Sequence, residues 1–374
     1  MRPHELQSRG MIGNVRSNGG ASMARAVHRL IDQLFEGPLD IVGDVHGEHE
    51  ALMALLDRLG HDPRRDAHPE GRRLVFVGDL VDRGPDSPAV IDTVRELCDR
   101  GRAQCVIGNH ELNLLRADLK HGNAWFLRPD HKEQAPGGEF AHSRVVDGHR
   151  KGDTLEFLAG LPLALERSDL RVVHAAWHPQ AIQDLQAFNG HSTADAFNHF
   201  EVLVETEGQK KGLADRASQE QESWRSRLSD RNTCVPLLTA VAEWDTLRQM
   251  GNPLRVLTSG VERPAARPFY SSGKWRMCDR VPWWMDYDQR PRVVIGHYWR
   301  RWRPVTASAH ADSEPALFEG TAPADWLGPQ GKVYCVDFSV GARYEERQKN
   351  VARFDTALLA LRLPEGLLIS DQEA

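Results

Sequence analysis

Three short clusters carry the residue types that hold divalent metal ions and move protons. Gly43-Asp44-Val45-His46-Gly47 sets a carboxylate and an imidazole one residue apart, so both can reach one ion from a tight turn. Gly78-Asp79-Leu80-Val81-Asp82-Arg83-Gly84 puts two carboxylates and an arginine in one turn, where the two oxygens of Asp79 can bridge two ions. Gly108-Asn109-His110-Glu111 adds a neutral amide oxygen and a second imidazole, and His174 and His297 each follow an apolar run. A first ion site is expected from Asp44, His46 and Asp79, and a second from Asp79, Asn109, His174 and His297. Mixed nitrogen and oxygen ligation suits manganese, iron or zinc better than calcium. Two divalent ions are therefore the expected cofactors, manganese foremost.

Two such ions roughly 3.5–4 Å apart would hold a hydroxide between them and clamp phosphate oxygens for an in-line displacement. His110, beside Asn109, is placed to protonate the leaving oxygen, a role worth on the order of 10²–10⁴ in rate. Asp82 can fix the His110 ring. Arg83 can hold phosphate oxygens with its planar fork, and Asn109 is assigned to phosphate binding with it. Glu111 reads as a charge favouring its helix N-terminus, and Asp337 as a turn residue.

The elements that must position these groups are strands and helices in alternation. Apolar runs at Leu39–Val42, Leu74–Val77 and Gln104–Ile107 read as buried strands, each ending at one cluster. Helical patterns follow at Glu48–Leu59 and Pro88–Leu97, so a mostly parallel sheet is expected, with its site at the carboxyl ends of the strands. A helix is expected over Ala24–Phe35, a long loop or lid over His121–Arg150, and a strand at Leu170–Val173 leading to His174. From about residue 180 to 290 the character changes to amphipathic or polar helices, Thr193–Thr206, Gln219–Leu228 and Leu237–Gln249 among them. Strands resume at Arg292–Ile295, Lys332–Val336 and Thr356–Leu363. The expected organisation is a tail over 1–25, a core over 26–179 and 291–374, and a mainly helical insertion or cap over 180–290.

The chain has 374 residues, 40% apolar and 27% charged, enough for a substantial core. A net charge of −6 argues against stable binding to nucleic acid or acidic membranes. Five cysteines without a Cys-x-x-Cys pair suit a reducing compartment. No run has the length of a membrane span, and the arginine-bearing first 25 residues lack a signal-peptide core, reading as a disordered tail or an upstream start before Met11 or Met23. A soluble cytoplasmic protein is expected.

The three motifs, in this order and at these spacings, resemble the calcineurin-like metallophosphoesterases, and Asp82-Arg83-Gly84 resembles the branch of phosphoprotein phosphatases and symmetrical diadenosine tetraphosphatases. The resemblance implies a sandwich of two mixed β-sheets flanked by helices, an α/β fold. It carries the roles above onto Asp44, His46, Asp79, Asp82, Arg83, Asn109, His110, His174 and His297. It departs from the family pattern at His174-Ala175-Ala176 and at Tyr298-Trp299-Arg300, where Thr-Pro is commoner after Gly-His. Arg276 and Arg280 are candidates for a second phosphate-binding arginine. The implied activity is hydrolysis of phosphate monoesters or phosphoanhydrides. The substrate is a phosphorylated small molecule, a nucleotide such as a dinucleoside polyphosphate, or a phosphoserine or phosphothreonine protein. Trp275, Trp283, Trp284, Trp299 and Trp302 either pack the insertion or stack a nucleobase. The reading from another class is a noncatalytic, metal-braced interaction module, which would have no need of Asp82, Arg83 and His110.

Overall fold

The computed structural model describes residues 29–62, 67–120, 122–130, 140, 142–271, 273–302 and 317–372. Two five-stranded mixed sheets form its centre. One is built from β1 (Ile31–Gln33), β5 (Ala164–Glu166), β6 (Leu170–Val173), β9 (Arg292–Ile295) and β10 (Val333–Cys335), in that spatial order. The other contains β2 (Leu39–Val42), β3 (Arg73–Phe76), β4 (Ala103–Cys105), β11 (Leu359–Leu363) and β12 (Leu367–Ser370), ordered β12-β11-β2-β3-β4. Within the second sheet β2, β3 and β4 run parallel, and within the first β6, β9 and β10 do.

The apolar runs are continuous because both faces of these strands are covered. Leu39 and Ile41, Val75 and Val77, Val172 and Val294 meet in a core between the sheets. Their neighbours Val42, Leu74, Phe76, Val173, Val293 and Ile295 face the outer core, which Leu52, Leu55 and Leu56 of the helix His49–Leu59 and Val90 and Val94 of the helix Ser87–Asp99 complete. Two mixed sheets flanked by helices are the expected α/β architecture.

One expectation differs from the structure, and two stretches hold elements beyond those expected. The helix expected over Ala24–Phe35 gives way at Ile31–Gln33 to β1, which pairs parallel with β5; residues 24–28 lie outside the described residues. Leu30 and Leu34 are both buried, and their spacing of four suits a helix equally, but pairing with a sheet edge decides. The loop expected over 121–150 holds a short helix, Ala124–Leu127, and a 3₁₀ turn, Gly148–Arg150. The stretch 180–290 carries a hairpin besides its helices, β7 (Glu262–Ser271) with β8 (Lys274–Arg280), whose register shifts between Pro264 and Phe269. Trp275 and Met277 of β8 pack with Leu238 and Ala242 beneath it. Trp283 and Trp284 join the main core, and Trp302 packs edge-on to Phe338. The hairpin's first strand bears two prolines, which hide it from a reading by propensity.

Candidate metal centre

Five loops leaving the carboxyl ends of β2, β3, β4, β6 and β9 bring the expected ligands to one end of the two sheets. The backbone is bent hard there: His46, Asp79, Asp82, Arg83 and His297 all have left-handed φ, between 47° and 74°. Non-glycine residues adopt this region at a cost, and such positions gather at functional sites. Gly78 makes the turn possible, having φ of 99° and standing where a Cβ would lie 2.6 Å from the Gly108 nitrogen. At Gly296 a Cβ would lie 2.0 Å from Asp44 Oδ1.

Donor atoms of His46, Asp79 and His110 lie within 4.8 Å of one another, and so do those of Asp79, His174 and His297. Asp79 is the shared corner. His174 Nε2 is 3.3 Å from Asp79 Oδ2, His46 Nε2 3.8 Å and His110 Nε2 4.0 Å. Asp79 Oδ1 accepts the His110 backbone N–H at 3.0 Å, which leaves Oδ2 to the rings. Asn109 Oδ1 stands 2.9 Å from His297 Nδ1 and 3.2 Å from His174 Nε2, inside the second group. Asp44 joins neither group; its carboxylate accepts the His297 backbone N–H, at 3.1 Å to Oδ2.

The rings are oriented from behind. His46 Nδ1 donates to the Val81 carbonyl at 3.1 Å and His174 Nδ1 to the Val77 carbonyl at 2.8 Å, so each Nε2 turns toward Asp79. His46 Nε2 and His297 Nε2 are buried with no hydrogen-bond partner among the described residues. Buried polar atoms are rarely left so, and a cation would satisfy both. Burial, then His110 and Arg83, push the His46 imidazole well below its ordinary value; burial, then Arg280 and His174, do the same to His297. Both rings are therefore neutral, as ligation requires. Burial works against the Asp79 carboxylate, but His174 and His110 outweigh it and hold the group well below the usual range. Asp44 is pushed well above that range by burial and by Asp337 and Asp79. Carboxylates crowded out of water beside unpartnered imidazoles fit two divalent cations.

At the edge of the first group, His110 Nδ1 is 2.6 Å from Asp82 Oδ2, and the Trp125 indole N–H donates to Asp82 Oδ1 at 2.7 Å. Burial disfavours the His110 imidazolium, but Asp79 and Asp82 outweigh it and raise the ring above its ordinary value. That suits a proton donor. The Arg83 guanidinium lies over the Trp299 ring, 4.5 Å from its centroid. Of the two candidate second arginines, Arg280 is the one whose charge acts on His297.

Glu111 does more than sit at a helix start. It is fully buried and accepts the backbone N–H groups of Gly108 and Asp79 at 2.9 Å and of Leu80 at 2.8 Å, tying the second and third motifs together. Burial and Asp79 raise its carboxyl to about 7. Its place three residues after Gly108, the spacing at which a glutamate reaches back to an N-cap, was the available signal. Asp337 accepts the N–H groups of Trp299 and Ser339, as a turn residue does.

Residues 37–212 match the calcineurin-like phosphoesterase family. Among curated relatives, the asymmetrical bis(5'-nucleosyl)-tetraphosphatase PrpE of Halalkalibacterium halodurans is 46% identical over 91 residues, 22% of this chain and 37% of that protein. The symmetrical bis(5'-nucleosyl)-tetraphosphatase of Chromohalobacter salexigens is 35% identical over 142 residues, 37% of this chain and 44% of that protein. The chain thus spans less than half the length of either relative. A solved cold-active protein tyrosine phosphatase of a psychrophilic Shewanella aligns over 92% of this chain and 83% of its own, at 13% identity and a TM-score of 0.42. Among the described residues no helix is long and apolar enough to cross a membrane.

Proposed function

We propose that this calcineurin-like metallophosphoesterase hydrolyses phosphate monoesters or phosphoanhydrides, with a nucleotide such as a dinucleoside polyphosphate as its substrate. The observation that carries the reading is the double use of Asp79, common corner of two donor groups, with the His110–Asp82 pair at the rim. When bound, two divalent ions supply an attacking water acidic enough to act near neutral pH and positive charge for the phosphoryl oxygens. His46, Asp79, Asn109, His174 and His297 would hold them, with Asp44 closing the first site. Manganese is the favoured metal, with iron or zinc compatible.

The chain's own groups do the rest. Arg83 binds and orients the phosphoryl group through its fork, with Arg280 on the side of His297. His110 holds a proton at Nε2 for the leaving oxygen, and Asp82 keeps the ring turned by accepting from Nδ1. A module that only bound metal would not need that donor. The names of the relatives support the nucleotide over a phosphoprotein. Five free cysteines support a cytoplasmic setting.

The test is phosphate release by manganese-loaded protein, run in parallel on diadenosine tetraphosphate, a phosphothreonine peptide and an aryl phosphate. Preference for the dinucleotide supports the proposal; preference for the peptide makes the protein a phosphatase of phosphoproteins. Turnover of none of the three overturns the hydrolase reading.

A further inference from the structure

Arg83 is unusual among the arginines of this site. Among the described residues its guanidinium makes no hydrogen bond or ion pair, and its Nε is buried without a partner. A charged fork in that condition is normally held by a carboxylate. Here its contacts are of another kind. Cζ lies 4.5 Å from the Trp299 ring centroid, and the stem runs beside Gly122, where a Cβ would lie 3.5 Å from Arg83 Cγ.

Trp299 is itself fixed. Its backbone is left-handed, with φ of 53°, and its N–H donates to Asp337 Oδ2 at 2.7 Å. Its side is open to solvent: the residue is 37% exposed, unlike the buried Trp275, Trp283 and Trp284. It stands two residues after His297, where the family resemblance leads one to expect proline and not an aromatic ring.

We infer that Trp299 is a positioning residue for Arg83, holding the guanidinium by its indole face so that the hydrogen-bonding edges stay free for a phosphoryl group. An aromatic face attracts the cation without accepting its N–H bonds, which lie in the guanidinium plane. A carboxylate in the same place would occupy two of those donors and lower the charge available to the substrate. The inference rests on the phosphate-binding role given to Arg83 above.

The test is the binding of inorganic phosphate to the manganese-loaded full chain, measured by calorimetry, so that no turnover is needed. Trp299→Leu is expected to weaken phosphate binding about tenfold, the scale of a partly desolvated cation–π contact, while Trp299→Phe, which keeps an aromatic face, stays within about threefold of the parent. In an Arg83→Ala background, Trp299→Leu is expected to add nothing. Where esters are turned over, the loss falls on KM before kcat. An equal loss with and without Arg83, or no loss at all, overturns the inference, as does a parent protein that binds no phosphate. Failure of all substrates to react, with the Trp299–Arg83 coupling intact, would instead remove the hydrolase proposal and leave this one standing.

Discussion

Trp125 holds Asp82: its indole N–H takes Oδ1 at 2.7 Å and leaves Oδ2 alone to face His110. The His110 ring is thus positioned through two successive side chains, and each can be removed separately. Trp125→Phe keeps the bulk and deletes the donor, so kcat on an alkyl phosphate is expected to fall about tenfold, the scale of one hydrogen bond to a charged group. Asp82→Asn is expected to fall further, toward the 10²–10⁴ typical of lost acid catalysis. Both losses should shrink on an aryl phosphate with a good leaving group, and steady-state kinetics on the two esters checks this.

His110→Ala is expected to keep about two metal ions per chain, the count on which the two-ion reading rests, while losing the rate on poor leaving groups. Metal analysis after gel filtration decides. His110 shares the 4.8 Å group with His46 and Asp79, so loss of one ion would make it a ligand and not the proton donor.

Asp79→Asn removes the charge from the common corner. Metal content and activity are expected to vanish together. Manganese is expected to raise the Tm of the parent chain by binding the folded state alone, and to leave that of the variant unchanged. Thermal melts with and without manganese and chelator provide the comparison.

Glu111→Ala leaves four backbone N–H groups, those of Asp79, Leu80, Val81 and Gly108, without their acceptor in a fully buried place. A loss of about 3 kcal/mol in unfolding free energy is expected from buried donors left unsatisfied. Urea titration measures it.

Away from the centre, Asp40 gives a pH dependence with a defined sign. Burial works to raise its carboxyl, but hydrogen bonds from His61 and Arg362 outweigh it and hold the group below its ordinary 3.8. The unfolded chain therefore binds the proton more readily, and the contribution to stability is fully present above about pH 4. It is lost as pH falls below that and through the lower folded value. The stability gap between the parent and Asp40→Asn, read by urea titration, is expected to close as pH falls below about 4.

How much of this was legible depends on how local each signal is. Asp44, His46, Asp79, Asn109 and His110 sit in turns whose composition announces them, and the apolar runs before them predict the strands that carry them. His174 and His297 needed only the same format, a histidine after a strand. The role of Glu111 is not local, because its partners Asp79 and Leu80 lie more than thirty residues away in sequence. Trp125 is silent in the sequence for the same reason: nothing in a stretch without periodicity tells which carboxylate an indole will reach. β1 reads as helix from its spacing because an edge strand is made by its neighbour, β5. Of the five clustered tryptophans, packing alone separates Trp299 from the rest.

Asp79 and Asn109 come from one sheet, His174 and His297 from the other, and the bond from His174 to the Val77 carbonyl spans the seam. The spacing of these four side chains is therefore set by how far one layer is displaced along the other. A methyl group lost or gained at Val75, Val172 or Val294, deep between the layers, is expected to act as shear on this cluster. In this architecture the separation of Asp79 and Asn109 from His174 and His297 is also a gauge of interlayer alignment.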